Sequence, residues 1–86
     1  MNEQQMKTVI CRNLKILFDS RPGSRAAFAR RYYMSQSTVT KWTQGIIGDI
    51  SLCNAWRVAA YFSVSLDWLV TDHSAVYAYE YADTEQ

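Results

Sequence analysis

Eighty-six residues, 49% of them hydrophobic, make one small domain that buries only about 60 to 65 percent of its unfolded surface, so its core side chains must be large. Three Trp, six Tyr and three Phe supply that bulk; no apolar run approaches the roughly 18 residues of a membrane span, and MNEQQMK lacks a signal peptide's apolar segment, which points to a cytoplasmic protein. The net charge of +1 conceals a division: nine basic residues lie between Lys7 and Arg57 with only Asp19 and Asp49 among them, a block of +7, while Asp67, Asp72, Glu80, Asp83 and Glu85 leave the rest acidic, as expected of a chain with one polyanion-facing half.

Periodicity predicts a first helix from about Gln4 to Asp19, with Met6, Val9, Ile10, Asn13, Leu14 and Leu17 on one stripe and Phe18 beside it. Ser20-Arg21-Pro22-Gly23 then stops it, because proline cannot donate a backbone bond and glycine is free to turn. Lys7, Arg12 and Lys15 fall off the stripe, where they meet either phosphate or solvent. Two cysteines, Cys11 and Cys53, are too few for a metal pattern and read as buried thiols among apolar neighbours. His73 has neither a zinc partner nor a nucleophile nearby in sequence. No catalytic residue, metal site or cofactor is expected.

The stretch from Ser24 to Gly45, SRAAFARRYYMSQSTVTKWTQG, organises the chain. A short helix capped by the Ser24 hydroxyl would bury Phe28, Ala29 and Tyr32 and leave Arg25, Arg30 and Arg31 outside. A second helix, capped by Ser35 and stopped at Gly45, holds only Val39 and Trp42 as inward anchors. Gln36, Ser37, Thr40, Lys41 and Gln44 are left on one connected polar surface with no acid. In a major groove, Gln pairs with adenine, Lys donates to guanine O6 and N7, and Ser or Thr bonds either kind of edge. Helix, turn and helix at this spacing form a helix-turn-helix unit.

Beyond the motif, Ile46-Ile47-Gly48-Asp49-Ile50 reads as a loop in which Ile46 and Ile47 are packing or dimer contacts rather than DNA contacts. Ser51 caps a fourth helix through Phe62, with Leu52, Ala55, Trp56, Ala59 and Phe62 expected inward. After the Ser63-Val64 turn, Ser65 caps Leu66 to Val70, with Asp67 where the helix dipole favours an anion. Trp56, Trp68 and Leu69 are expected to close the core. Tyr77, Tyr79 and Tyr81 then alternate with Val76, Ala78 and Glu80; this segment is either a strand that pairs across a dimer, or a frayed acidic tail or continued helix. The division expected is a domain over 1–72 and a tail over 73–86.

The fit of AFARRYYMSQSTVTKWTQG, and again of SVSLDWLVTD, means that the chain resembles the phage lambda Cro and repressor family over about residues 8 to 72. Ala29, Val39 and Gly45 match the family's small, aliphatic and glycine positions. The resemblance implies an all-α, compact five-helix lambda-repressor-like DNA-binding domain with a short C-terminal extension, acting as a transcription regulator. By position it implies Gln36, Ser37, Thr40 and Lys41 as base readers, and Arg25, Thr38, Thr43 and Gln44 as phosphate contacts; Arg25 stands where the family often has a glutamine bracing the recognition helix. It departs at the turn residue, usually Gly and here Tyr33, which implies either another turn conformation or a Tyr33 held by packing. The partners implied are operator DNA and a second copy of the chain, in a bacterial or phage-infected cell. The chain is either a Cro-like protein complete in one domain or the DNA-binding piece of a longer repressor. The competing class is an antitoxin-like interaction module on the same fold, its tail binding a protein.

Overall fold

Four helix starts in this chain are set by a side chain that accepts an otherwise orphaned backbone N–H. The structure, a computed structural model, describes residues 2–45 and 50–73 and has the helices α1 (Glu3–Asp19), α2 (Ser24–Arg31), α3 (Gln36–Thr43), α4 (Leu52–Phe62) and α5 (Leu66–Val70). Ser35, Ser51 and Ser65 cap α3, α4 and α5 as expected, accepting from the N–H groups of Thr38, Asn54 and Trp68 at 3.3, 3.1 and 3.0 Å. α1 begins at Glu3, one residue before its predicted start, because Asn2 and Gln5 form a reciprocal capping box: Asn2 Oδ1 accepts the Gln5 N–H at 2.8 Å and Gln5 Oε1 accepts the Asn2 N–H at 2.9 Å.

Ser24 corrects the expectation of a cap. Gly23, at φ 74, occupies the cap position of α2, and the buried Ser24 hydroxyl donates instead to the Phe18 carbonyl at 2.6 Å. Phe18 lies in the last turn of α1, where carbonyls lack helical partners, so this bond welds the start of α2 onto the end of α1.

The core is aromatic, as the small size of the chain requires. Phe18 meets Phe28 and Phe62 edge-on, with ring centroids 5.3 and 5.0 Å apart, and Phe28 touches Tyr32, Trp42 and Tyr61, so one ring of α2 joins α1, α3 and α4. Leu14, Leu17, Val39, Val58, Ala59 and Leu69 fill the space around these rings.

Two residues expected inside lie outside. Leu52 is 75% exposed and Trp56 58% exposed, while Val58, Ala59 and Phe62 are buried and Ala55 and Tyr61 pack partly against them. The inward stripe of α4 thus runs through 55, 58, 59 and 62, turned toward Val58 from the stripe expected. Leu69 does close the core and Trp68 packs partly against it, but Trp56 does not. Cys53 is likewise exposed rather than buried, and Cys11 is half-buried, where desolvation pushes its thiol pKa up.

Asn13, placed by periodicity in the apolar stripe of α1, is fully buried and does polar work. Its Nδ2 donates toward the carbonyls of Trp68, Leu69 and Thr71 at 3.2, 2.8 and 2.9 Å. Five-residue α5 cannot satisfy its own last carbonyls internally; the Asn13 amide does so and fixes α5 against α1. His73 completes this end: its imidazole stacks on Trp68 at 4.3 Å, and Nε2 donates to the Trp68 carbonyl at 2.9 Å.

Candidate nucleic-acid interface

α3 is anchored from beneath by Val39 and Trp42, both buried, and it packs on α1 and α2. With those anchors inward, Ser37, Thr40, Lys41 and Gln44 recur at i, i+3, i+4 and i+7 along the outer face. Ser37, Lys41 and Gln44 are exposed, Thr40 is half-buried, and Gln36 and Thr38 are exposed at the N-terminal turn. The Ser37 hydroxyl lies 2.6 Å from the Ser35 hydroxyl, so the capping residue also positions it. Gly45, at φ 81, ends the helix in the left-handed conformation expected of it.

Thr43 and Arg25 are turned toward one another. The Thr43 hydroxyl donates to the Thr40 carbonyl at 2.9 Å and accepts from Arg25 Nε at 3.3 Å. Arg25 also places Nη2 2.9 Å from Asp19 Oδ1 and lies over the Phe18 ring. It is half-buried, not on the exposed side with Arg30 and Arg31, and it braces the end of α3 rather than its start. The hydrogen bonds from Lys15 and then Arg25 hold the Asp19 carboxyl below its ordinary pKa. The sequence offered a signal for this clamp, since Asp19 is one of only two acids in the basic block.

The structure divides the basic block into spent and unspent charges. Lys7 pairs with Glu3, Arg12 with Asp72, and Lys15 and Arg25 share Asp19, while Arg21 and Arg57 lie over the rings of Phe62 and Tyr32. Arg30, Arg31 and Lys41 have no ion pair among the described residues. All three lie on α2 and α3, within the motif.

The turn between these helices departs from both alternatives raised by the sequence. Tyr33 adopts the left-handed conformation, φ 55, that a glycine would take, and it is 98% exposed, so packing does not hold it. The cause is the end of α2: the Met34 N–H bonds the Ala29 carbonyl at 2.9 Å, the six-to-one closure of a Schellman cap, which places the residue between them in the left-handed region. Ser63, φ 57, sits in the same closure at the end of α4, where the Val64 N–H bonds Ala59 and the Ser63 N–H bonds Ala60.

Two short helices crossing at a capped turn, the second anchored by Val39 and Trp42 and ended by Gly45, are matched over residues 21–69 by the family model described as helix-turn-helix, more than half of the chain. The chain belongs to the lambda Cro/repressor-type helix-turn-helix family. No curated protein and no solved structure matches it. As a member of this helix-turn-helix family it is a DNA-binding transcription regulator, with α3 the recognition helix. No helix among the described residues is long and apolar enough to cross a membrane. The expected contacts Ile46, Ile47, Tyr77, Tyr79 and Tyr81 lie outside the described residues.

Proposed function

We propose that the protein binds a near-palindromic operator as a homodimer and represses transcription by covering promoter DNA. The observation that carries the DNA-reading part is the coincidence, on one motif, of Arg30, Arg31 and Lys41, which have no ion pair among the described residues, with an acid-free polar face on α3. Gln36, Ser37, Thr40 and Lys41 read base edges; Thr38 and Gln44 hold phosphates. Arg25 and Thr43 serve chiefly as the clamp that fixes α3, since each is already engaged by the other and Arg25 by Asp19.

One short helix reads about four or five base pairs, too few to single out a site among roughly a million or more competitors, so a two-fold pair of domains is required. Its recognition helices would stand about 34 Å apart. Support for self-association comes from the outer side of α4 and α5, where Leu52, Trp56 and Leu66 are exposed around a depression also lined by Cys53 and Arg57. Apolar side chains gathered on one face favour a contact between copies of the chain. The tail over 73–86 is proposed as an extension of that contact.

Selection of bound duplexes from a random pool at near-physiological salt, repeated with Lys41→Ala, tests this reading. Enrichment of two related half-sites, with one base position relaxed in the variant, is expected. Weak, salt-sensitive binding to every duplex with no enrichment would overturn operator recognition in favour of an interaction module.

A further inference from the structure

The geometry points to Tyr33 as a DNA-backbone contact, its phenolic hydroxyl donating to a phosphate oxygen at the rim of the groove that α3 enters; this rests on the DNA-binding reading. A left-handed backbone crowds any Cβ, and a bulky residue persists there only where something compensates. The Schellman closure from Met34 to Ala29 holds the Tyr33 backbone, as the same closure holds Ser63, but it gives the side chain no partner: the phenol ring is 98% exposed, with neither a hydrogen bond nor a ring contact among the described residues. A large aromatic side chain kept in solvent at a position that glycine would occupy without crowding is free to meet a partner outside the chain.

Position identifies the partner. Tyr33 lies three residues before Gln36, so their Cα atoms are at most about 11 Å apart, and Gln36 opens the helix whose N-terminal residues enter the major groove. Arg30 and Arg31, exposed and without an ion pair among the described residues, close α2 just before the turn and make it a positive rim. A tyrosine hydroxyl is one of the ordinary donors to phosphate, and such a contact adds affinity without reading sequence.

The test compares wild type, Tyr33→Gly, Tyr33→Phe and Ser63→Gly for melting temperature and for affinity toward duplexes recovered by selection and unselected duplexes. Tyr33→Gly relieves the crowding and should melt several degrees higher, yet bind both classes of duplex about ten-fold more weakly. Tyr33→Phe keeps the crowding and loses only the donor, so it should melt as wild type does and bind as weakly as Tyr33→Gly. Ser63→Gly makes the same backbone change away from the motif, and should melt higher with binding unchanged. Wild-type affinity in either Tyr33 variant overturns the hydroxyl–phosphate contact. A wild-type protein that binds no duplex is a different result, because it removes the DNA-binding reading itself and this inference with it.

Discussion

Asn13 shows how a single polar side chain can organise the end of a fold. Buried on α1, it satisfies carbonyls from the last residues of α5 and just beyond, and no apolar residue of similar size could do so. Asn13→Leu should therefore destabilise the domain by about 2 kcal/mol, the cost of leaving buried carbonyls unpaired, even though it places an apolar side chain in an apolar stripe; urea unfolding checks this. Asp19 makes a prediction in pH. Lys15 and Arg25 hold its folded pKa below the ordinary value of 3.8, so its carboxylate contributes stability that is present above that value and lost as pH falls through the folded one. Wild type should melt above Asp19→Asn near neutrality, the gap closing below about pH 4; the gap is small because Asp19 is solvent-exposed. A gap that persisted at pH 2 would show that the difference has another origin.

At the scale of elements, most of the architecture could be read from the chain because helix ends are local chemistry. Ser35, Ser51 and Ser65 before apolar runs, and Pro22-Gly23 between two of them, fixed four of the five helices to within a residue. What escaped was rotation about the helix axis. In α4 the alternatives 52-55-56-59-62 and 55-58-59-62 are both apolar at helical spacing, and only the shape of the facing core decides between them. The hydrogen bond of Ser24 and the polar role of Asn13, though not its burial, escaped for a related reason, since each bonds a carbonyl of another helix and such partners leave no local signature. The polar outer face of α3 was legible because two inward anchors on an eight-residue helix determine its outer side; the Arg25–Asp19–Thr43 clamp was missed, its one hint being Asp19 as one of two acids in the basic block. The rotation of α4 has a thermodynamic consequence. Trp42→Ala should cost about 3 to 5 kcal/mol, whereas Trp56→Ala should cost the isolated domain under about 1 kcal/mol; denaturant curves on dilute protein separate the two.

The whole molecule spends its charges unevenly, and salt dependence reads out which remain available. Each phosphate neutralised by a cation contributes about −0.9 to the slope of log affinity against log salt. Arg31→Ala should lower that slope by about one, whereas Lys15→Ala, whose ammonium lies 2.7 Å from Asp19, should leave it nearly unchanged. The unspent apolar surface can be read in the same way. Trp56 is 58% exposed and contributes little inside the domain, and the proposed two-fold dimer would use such a face on both copies at once. Trp56→Glu should leave the fold intact, shift sedimentation to the monomer, and cost far more affinity on a paired site than on a single half-site, because only the paired site draws on dimer contacts. Cys53, exposed on the same face, supplies a second readout. Its alkylation rate should fall as protein concentration rises in the wild type and stay constant in Trp56→Glu. A wild-type rate independent of concentration, together with unaltered sedimentation in the variant, would assign self-association to another surface.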